Sequence, residues 1–322
     1  MRTKRLLLAI FAVGTVRAQI SGPVAGFVFD LPARSIRPVI GVIGSATLGA
    51  PLVRALEFAS IAPHQNYAIA VRRGAVLFVS GLGAADVVES ALTGASGVPD
   101  GVCWSDDGSF AILYSRSSNW LQVFTGFPDS IQAASQISAP GSLLAVATDS
   151  HGQHIAVSLS GDQPGVYQLG GGQISTPLFG STAAIGLTFS PDGSVLYALD
   201  SSTNQITEFN FMNSALQTMP APVDDAMAIR ATVDRSGTSV LYVAGGSSHS
   251  LVSLNPVTYQ PIASASLTFP PTMIEPLGPT SFVLNQRADQ ANTVWTFINN
   301  PQPVVYFVPS TPNQLPRQGV PR

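Results

Sequence analysis

The sequence predicts an all-β fold built from four-stranded antiparallel units stacked around a ring. Three observations carry this expectation. A turn-and-strand unit recurs about every 43 residues. Each copy joins two short β-favouring runs through an Asp-Gly type turn. No helical hydrophobic period follows the first eighteen residues. The composition agrees: 45% of the 322 residues are hydrophobic and only 10% are charged, against a usual charged share of about 25%. Sparse charge suits strands covered on both faces and excludes a disordered chain. One Cys and a net charge of −3 also argue against a disulfide scaffold and a nucleic-acid partner.

Residues 1–18 read as an export signal. Arg2, Lys4 and Arg5 precede an apolar run, Leu6 to Val13, and Val16-Arg17-Ala18 offers small residues around a cleavage site. Export to a periplasmic or extracellular location is the expectation. Cleavage after Ala18 leaves 11 basic residues, all Arg, against 18 acids, because Lys4 is the only lysine. No Schiff-base or P-loop lysine is then available. No later run is long and apolar enough for a spanning helix.

A hairpin comes next, Gly26-Phe-Val-Phe-Asp30 with Ile36-Arg-Pro-Val-Ile40. It resembles the outer strand pair of a later unit, Leu251 to Leu254 with Gln260 to Ala263, and is read as an incomplete first unit. The full units follow at 57–96, 97–138, 139–180, 181–222, 223–268 and 269–309. Their turns centre on Gln65, Gly108, Gly152, Gly193, Gly237 and Gly278, spaced 43, 44, 41, 44 and 41 residues apart. In the four stronger copies an Asp bonds its own backbone and a Gly supplies positive φ cheaply; the Gly278 copy is weaker, and Gln65 takes the glycine position in its own. Residues 19–309 thus form one domain. The segment 310–322, rich in Pro and polar residues, is expected to be disordered.

Four short strands per unit, repeated, is the pattern of a β-propeller, in which stacked blades bury faces that none could bury alone. Seven blades with an incomplete first are expected; a six-bladed ring with an N-terminal extension is the alternative. An outer-membrane barrel would need strands of about 9–11 residues, longer than the runs here. Phe189-Ser-Pro-Asp-Gly193-Ser-Val-Leu-Tyr197 resembles the repeat core of secreted bacterial propellers of the YVTN and lactonase-like group. A related turn occurs in TolB-type and WD-repeat propellers. Leu196-Tyr-Ala-Leu-Asp200 and Leu241-Tyr-Val-Ala244 stand where the YVTN tetrapeptide would be.

Motifs for chemistry are sparse. There is no Gly-x-Ser-x-Gly elbow, His-Glu-x-x-His or Walker loop, and Gly170-Gly171-Gly172 reads as a strand turn. Cys103 reads as a small inner-strand hydrophobe rather than a nucleophile. Asp149, His151 and His154 fall in a turn, as do Asp106 and Asp107, and capping explains both groups without a metal. No metal and no cofactor are expected.

Propeller topology puts the loops between blades on the same face as the loops joining second and third strands. The first set holds Asp100, Asp224 and Asp225. The second holds Arg72, Arg73, Arg116, His249 and Arg287. Such a rim of Arg could take carboxylates or phosphates bidentately, and Asp224 and Asp225 could serve as a general base. Two functions compete, since fold alone does not choose between them. One is a secreted, monomeric, non-catalytic module that binds or scaffolds a protein or glycan. The alternative, implied by the resemblance, is a lactonase-like hydrolase with its site at the channel mouth.

Overall fold

The structure is a computed structural model that describes residues 22–63, 66–278, 281–285, 293–300 and 302–309. The expected signal, the Gln65 turn position, Arg287 and the 310–322 segment lie outside the described residues.

Seven antiparallel sheets follow one another along the chain. Blade 1 holds β1 (Val24–Asp30), β2 (Ser35–Ile40) and β3 (Thr47–Leu48). Blade 2 holds β4 (Phe58–Ile61), β5 (Tyr67–Arg72), β6 (Ala75–Ser80) and β7 (Val88–Ala91). Blade 3 holds β8 (Gly101–Trp104), β9 (Phe110–Ser115) and β10 (Trp120–Thr125), with its outer strand split into β11 (Gln132–Ala133) and β12 (Ile137–Ser138). Blade 4 holds β13 (Ser142–Thr148), β14 (Ile155–Ser160), β15 (Gly165–Gly170) and β16 (Gln173–Phe179). Blade 5 holds β17 (Ala184–Phe189), β18 (Val195–Asp200), β19 (Gln205–Asn210) and β20 (Leu216–Pro220). Blade 6 holds β21 (Ala226–Val233), β22 (Ser239–Gly245), β23 (Ser250–Leu254) and β24 (Pro261–Ser266). Blade 7 holds β25 (Glu275–Gly278), β26 (Ser281–Val283), β27 (Thr293–Ile298) and β28 (Val304–Pro309). This is the seven-bladed propeller with a short first blade that the repeat predicts.

Alternation along each strand builds the ring. In β18, Leu196 and Ala198 pack into blade 4, while Tyr197 and Leu199 pack into blade 6, because successive side chains point to opposite faces. An apolar cluster of this kind fills each interface between neighbouring blades. The last joins Leu277, Val283, Val294 and Val308 of blade 7 to Val28, Val39 and Leu48 of blade 1. Side-chain packing, with no shared sheet among the described strands, therefore closes the ring. Gly26 makes this closure possible: a Cβ there would lie 1.9 Å from the Leu277 carbonyl oxygen. A kink recurs near the start of the inner strand, between Leu143 and Ala145, Ala184 and Gly186, and Ala226 and Ala228. Such bulges sharpen local twist.

The first hairpin departs from its sequence reading. The β1–β2 turn ends at Arg34, which has positive φ. Asn119, Asn204 and His249 hold the same conformation at the ends of the four-residue turns joining second to third strands in blades 3, 5 and 6. The Arg34 carbonyl also accepts from the Leu56 amide of the loop entering blade 2, and the Arg34 side chain donates Nε to the Leu56 carbonyl. β1 and β2 are therefore a second and third strand, not an outer pair. Blade 1 lacks its inner strand among the described residues, and β1 lies beside the inner strands β4 and β25. Asp30-Leu-Pro-Ala-Arg34 matches Asp200-Ser-Ser-Thr-Asn204 in position. A buried ion pair fixes this blade: Arg37, 5% exposed, donates to Asp30, 3% exposed, at 2.8 Å, and to the carbonyls of Gly49 and Leu48.

The repeated turns also divide into two chemistries. In Ser105/Asp107 and Ser190/Asp192, the Asp accepts from the Ser before it and from the Ser after the Gly. In the other two copies, Asp149 and Asp234 stand where those first serines do, and their carboxylates take the following backbone amides directly.

Candidate functional site

The described loop candidates all map to one face, that of the inter-blade loops and the turns between second and third strands. Most of their polar atoms hold that face together. Asp100 accepts from the amides of Arg116 and Ser117 and from the Ser115 hydroxyl. Its partial burial raises the carboxyl, but these amides and hydroxyls outweigh that and hold it below the usual range. The Arg116 guanidinium stands 3.8 Å from Asp100 and over the Tyr114 ring. Arg72 pairs with Glu89 and donates to the Arg54 carbonyl. Glu57 takes the amides of Arg73 and Gly74. Asp225 accepts from the Ser247 amide, Asp224 is exposed beside it, and the His249 carbonyl accepts from Leu267.

The sequence did not single out Asp200, which does the same work in blade 5. It accepts from Ser181, Ala183, Ser202 and Thr203. Burial raises this carboxyl too, and the four partners reverse that to leave it far below the carboxylate range. The left-handed residues add a second link, from one blade to the next. Asn119 accepts from Leu143, and Asn204 accepts from Ala226 while donating to Val223. Positive φ at His249 accordingly belongs to a turn geometry shared with Asn119 and Asn204.

The central channel brings together residues the sequence reading did not single out, Tyr114, Arg230 and Glu275, with Cys103 and Asp106, which it read as structural. An interior cavity of about 200 Å³ is lined by Cys103, Tyr114, Arg230 and Glu275, with apolar walls from several blades. Arg230, on inner strand β21, reaches across to Asp106 of blade 3. That pair also borders a second cavity shared with Pro191, Val233 and Phe282, so it stands between the two cavities. Tyr114 reaches the channel because position 101 is glycine: a Cβ there would lie 2.2 Å from the Tyr114 ring. Desolvation by the surrounding blades raises the Glu275 carboxyl even though the residue is exposed at the cavity, with Arg230 opposing the shift. Burial pushes the Cys103 thiol up to about 12, which keeps it protonated and unreactive at neutral pH. It raises the Tyr114 hydroxyl as well.

The opposite face carries the turns between first and second strands and between third and fourth. Asp149 is engaged with the amides of His151, Gln153 and His154. The His154 ring stacks on Phe211 at 4.4 Å. On blades 5 and 6 this face bears exposed apolar side chains: Met212 is 85% exposed, Val257 83%, and Leu216 and Val233 are also exposed. Between the two blades lies a cleft of about 260 Å³, lined by Pro191, Val195, Tyr197, Val240, Pro256 and Val257.

Comparisons with known proteins agree with the architecture. No protein-family profile and no curated protein sequence matches the chain. Among solved structures, a chain of Kuenenia stuttgartiensis hydrazine synthase is similar at TM-score 0.55 and 14% identity, covering 80% of each chain. A chain of the mitotic checkpoint complex is similar at TM-score 0.58 and 14% identity, covering 97% of this chain and 90% of that one. A chain of the nidogen/laminin complex gives TM-score 0.52 and 12% identity over 75% and 92%. At these identities the likeness is one of fold.

Proposed function

We propose that this chain is a non-catalytic binding module for a protein partner, exported from the cell, and that it docks through the blade 5–6 side of its turn face. The observation that carries the reading is that Met212, Leu216, Val233 and Val257 are exposed on the turn face of two neighbouring blades, with Val257 lining an open cleft. Exposed apolar side chains gathered on one face suit an interaction surface. The cleft at Val257 gives an anchor residue of the partner a pocket to fill. Propellers commonly serve as protein-binding modules, and two of the structural likenesses come from protein complexes.

A second reading rests on the laced loop face, where Arg73, Arg116 and His249 are exposed on a backbone already held in place. Such preorganisation lowers the ordering cost of binding and would suit an acidic partner. Paired variants separate the two readings. Met212→Asp with Val257→Asp is expected to abolish capture of a partner that Arg73→Ala, Arg116→Ala and His249→Ala leaves intact. The reverse pattern would overturn the docking surface proposed first.

A further inference from the structure

The channel cavity has the donors and acceptors of a small-ligand site. Arg230 gives one guanidinium edge to Asp106. Its buried Nε has no hydrogen-bond partner among the described residues, an arrangement that costs free energy unless something else accepts that proton. Glu275 lines the same cavity and feels the Arg230 charge. It makes neither an ion pair nor a hydrogen bond with Arg230 among the described residues. A cation with an unused donor and a separate carboxylate thus face one enclosed space, with the Tyr114 hydroxyl beside them.

We propose that this cavity binds a small zwitterion of the α-amino-acid class, with its carboxylate on the Nε edge of Arg230 and its ammonium on Glu275. Charge complementarity selects this class. Asp106 and Arg230 already neutralise each other, so a simple anion would leave the Glu275 carboxyl facing it without a partner. A simple cation would leave the Arg230 Nε unsatisfied. A zwitterion pairs both ends and adds no net charge. Ile61, Val102, Val146, Leu187 and Ile229 form apolar patches among Thr148, Ser150 and Thr188, against which an aliphatic side chain packs. The Arg230–Asp106 pair stands between this cavity and the one toward the turn face, so the ligand enters from the loop face. This site is separate from the proposed docking surface, and either can fail without the other.

Calorimetric titration of the full chain with leucine, acetate and methylammonium tests the proposal. Saturable one-to-one binding of leucine is expected, at least tenfold tighter than either half-ligand. Glu275→Gln, which keeps shape and removes charge, is expected to weaken leucine at least tenfold while the far-UV circular dichroism stays unchanged. Arg230→Gln should do likewise. If it unfolds the chain, Glu275→Gln and Tyr114→Phe still decide the matter. No leucine binding by the folded chain, acetate binding as tightly as leucine, or full affinity in Glu275→Gln would each overturn the proposal.

Discussion

Arg37→Ala should be among the most damaging single changes in the first blade. The side chain is buried, pairs with buried Asp30 at 2.8 Å, and donates to the carbonyls of Gly49 at 2.8 Å and Leu48 at 3.3 Å. Truncation leaves a carboxylate in the interior without its cation, which costs about 3–5 kcal/mol. It also leaves two carbonyls short of a donor, and each such buried group costs about 1–3 kcal/mol when nothing replaces the bond. Water entering the vacated space will satisfy part of this, so the expected loss is about 4 kcal/mol, near the middle of the buried-pair range. Urea unfolding followed by tryptophan fluorescence and circular dichroism reads it as a lower midpoint. The double variant Asp30→Leu with Arg37→Met removes both charges and should recover about half of the loss or more. A loss below about 1 kcal/mol for Arg37→Ala, the range of an exposed pair, would refute the claim that this pair fixes blade 1.

Three further outcomes follow from the same structure. Asp100, Asp107, Asp192, Asp200 and Asp234 all titrate below the ordinary carboxylate range when folded. Their stabilisation is therefore complete above the unfolded value of about 3.9 and is lost as pH falls through it toward the folded values. Thermal unfolding between pH 6 and pH 2 should show that loss, and Asp200→Asn should flatten it. Gly26→Ala should destabilise ring closure by about 1–3 kcal/mol, read by the urea midpoint, since its Cβ has no room against Leu277. Cys103 in the folded chain should react with iodoacetamide at pH 8 far more slowly than in the urea-unfolded chain, because burial holds its thiol near 12; equal rates would contradict the channel environment.

The blade repeat was legible because its turns are local. Ser190, Asp192 and Gly193 sit within four residues, and their chemistry shows in the order of residues alone. The first hairpin was legible as strands but not by position. Its resemblance to the outer pair of blade 6 competed with the match between Asp30-x-x-x-Arg34 and Asp200-x-x-x-Asn204, and only the backbone at Arg34 decides. Topology assigned the loop candidates to a face from the order of strands alone. Their partners were hidden, because Asp100 to Arg116 and Glu57 to Arg73 are pairings across a loop. The channel set was the least visible: Asp106 and Arg230 are 124 residues apart and meet only when the ring closes. Met212 and Val257 carried no signal of their own in the sequence; the fold puts them in turns between third and fourth strands, where they are exposed.

The most direct test of the proposed function is site-specific photo-crosslinking with the probe placed on each face in turn. Probes at Met212 and Val257 report the turn face, and probes at Arg73 and His249 report the loop face. The account predicts a stoichiometric protein adduct from Met212 and Val257, lost with Leu216→Asp and Val233→Asp in a chain that still folds. Adducts formed only from Arg73 and His249, or adducts from Met212 that survive those substitutions, would contradict it.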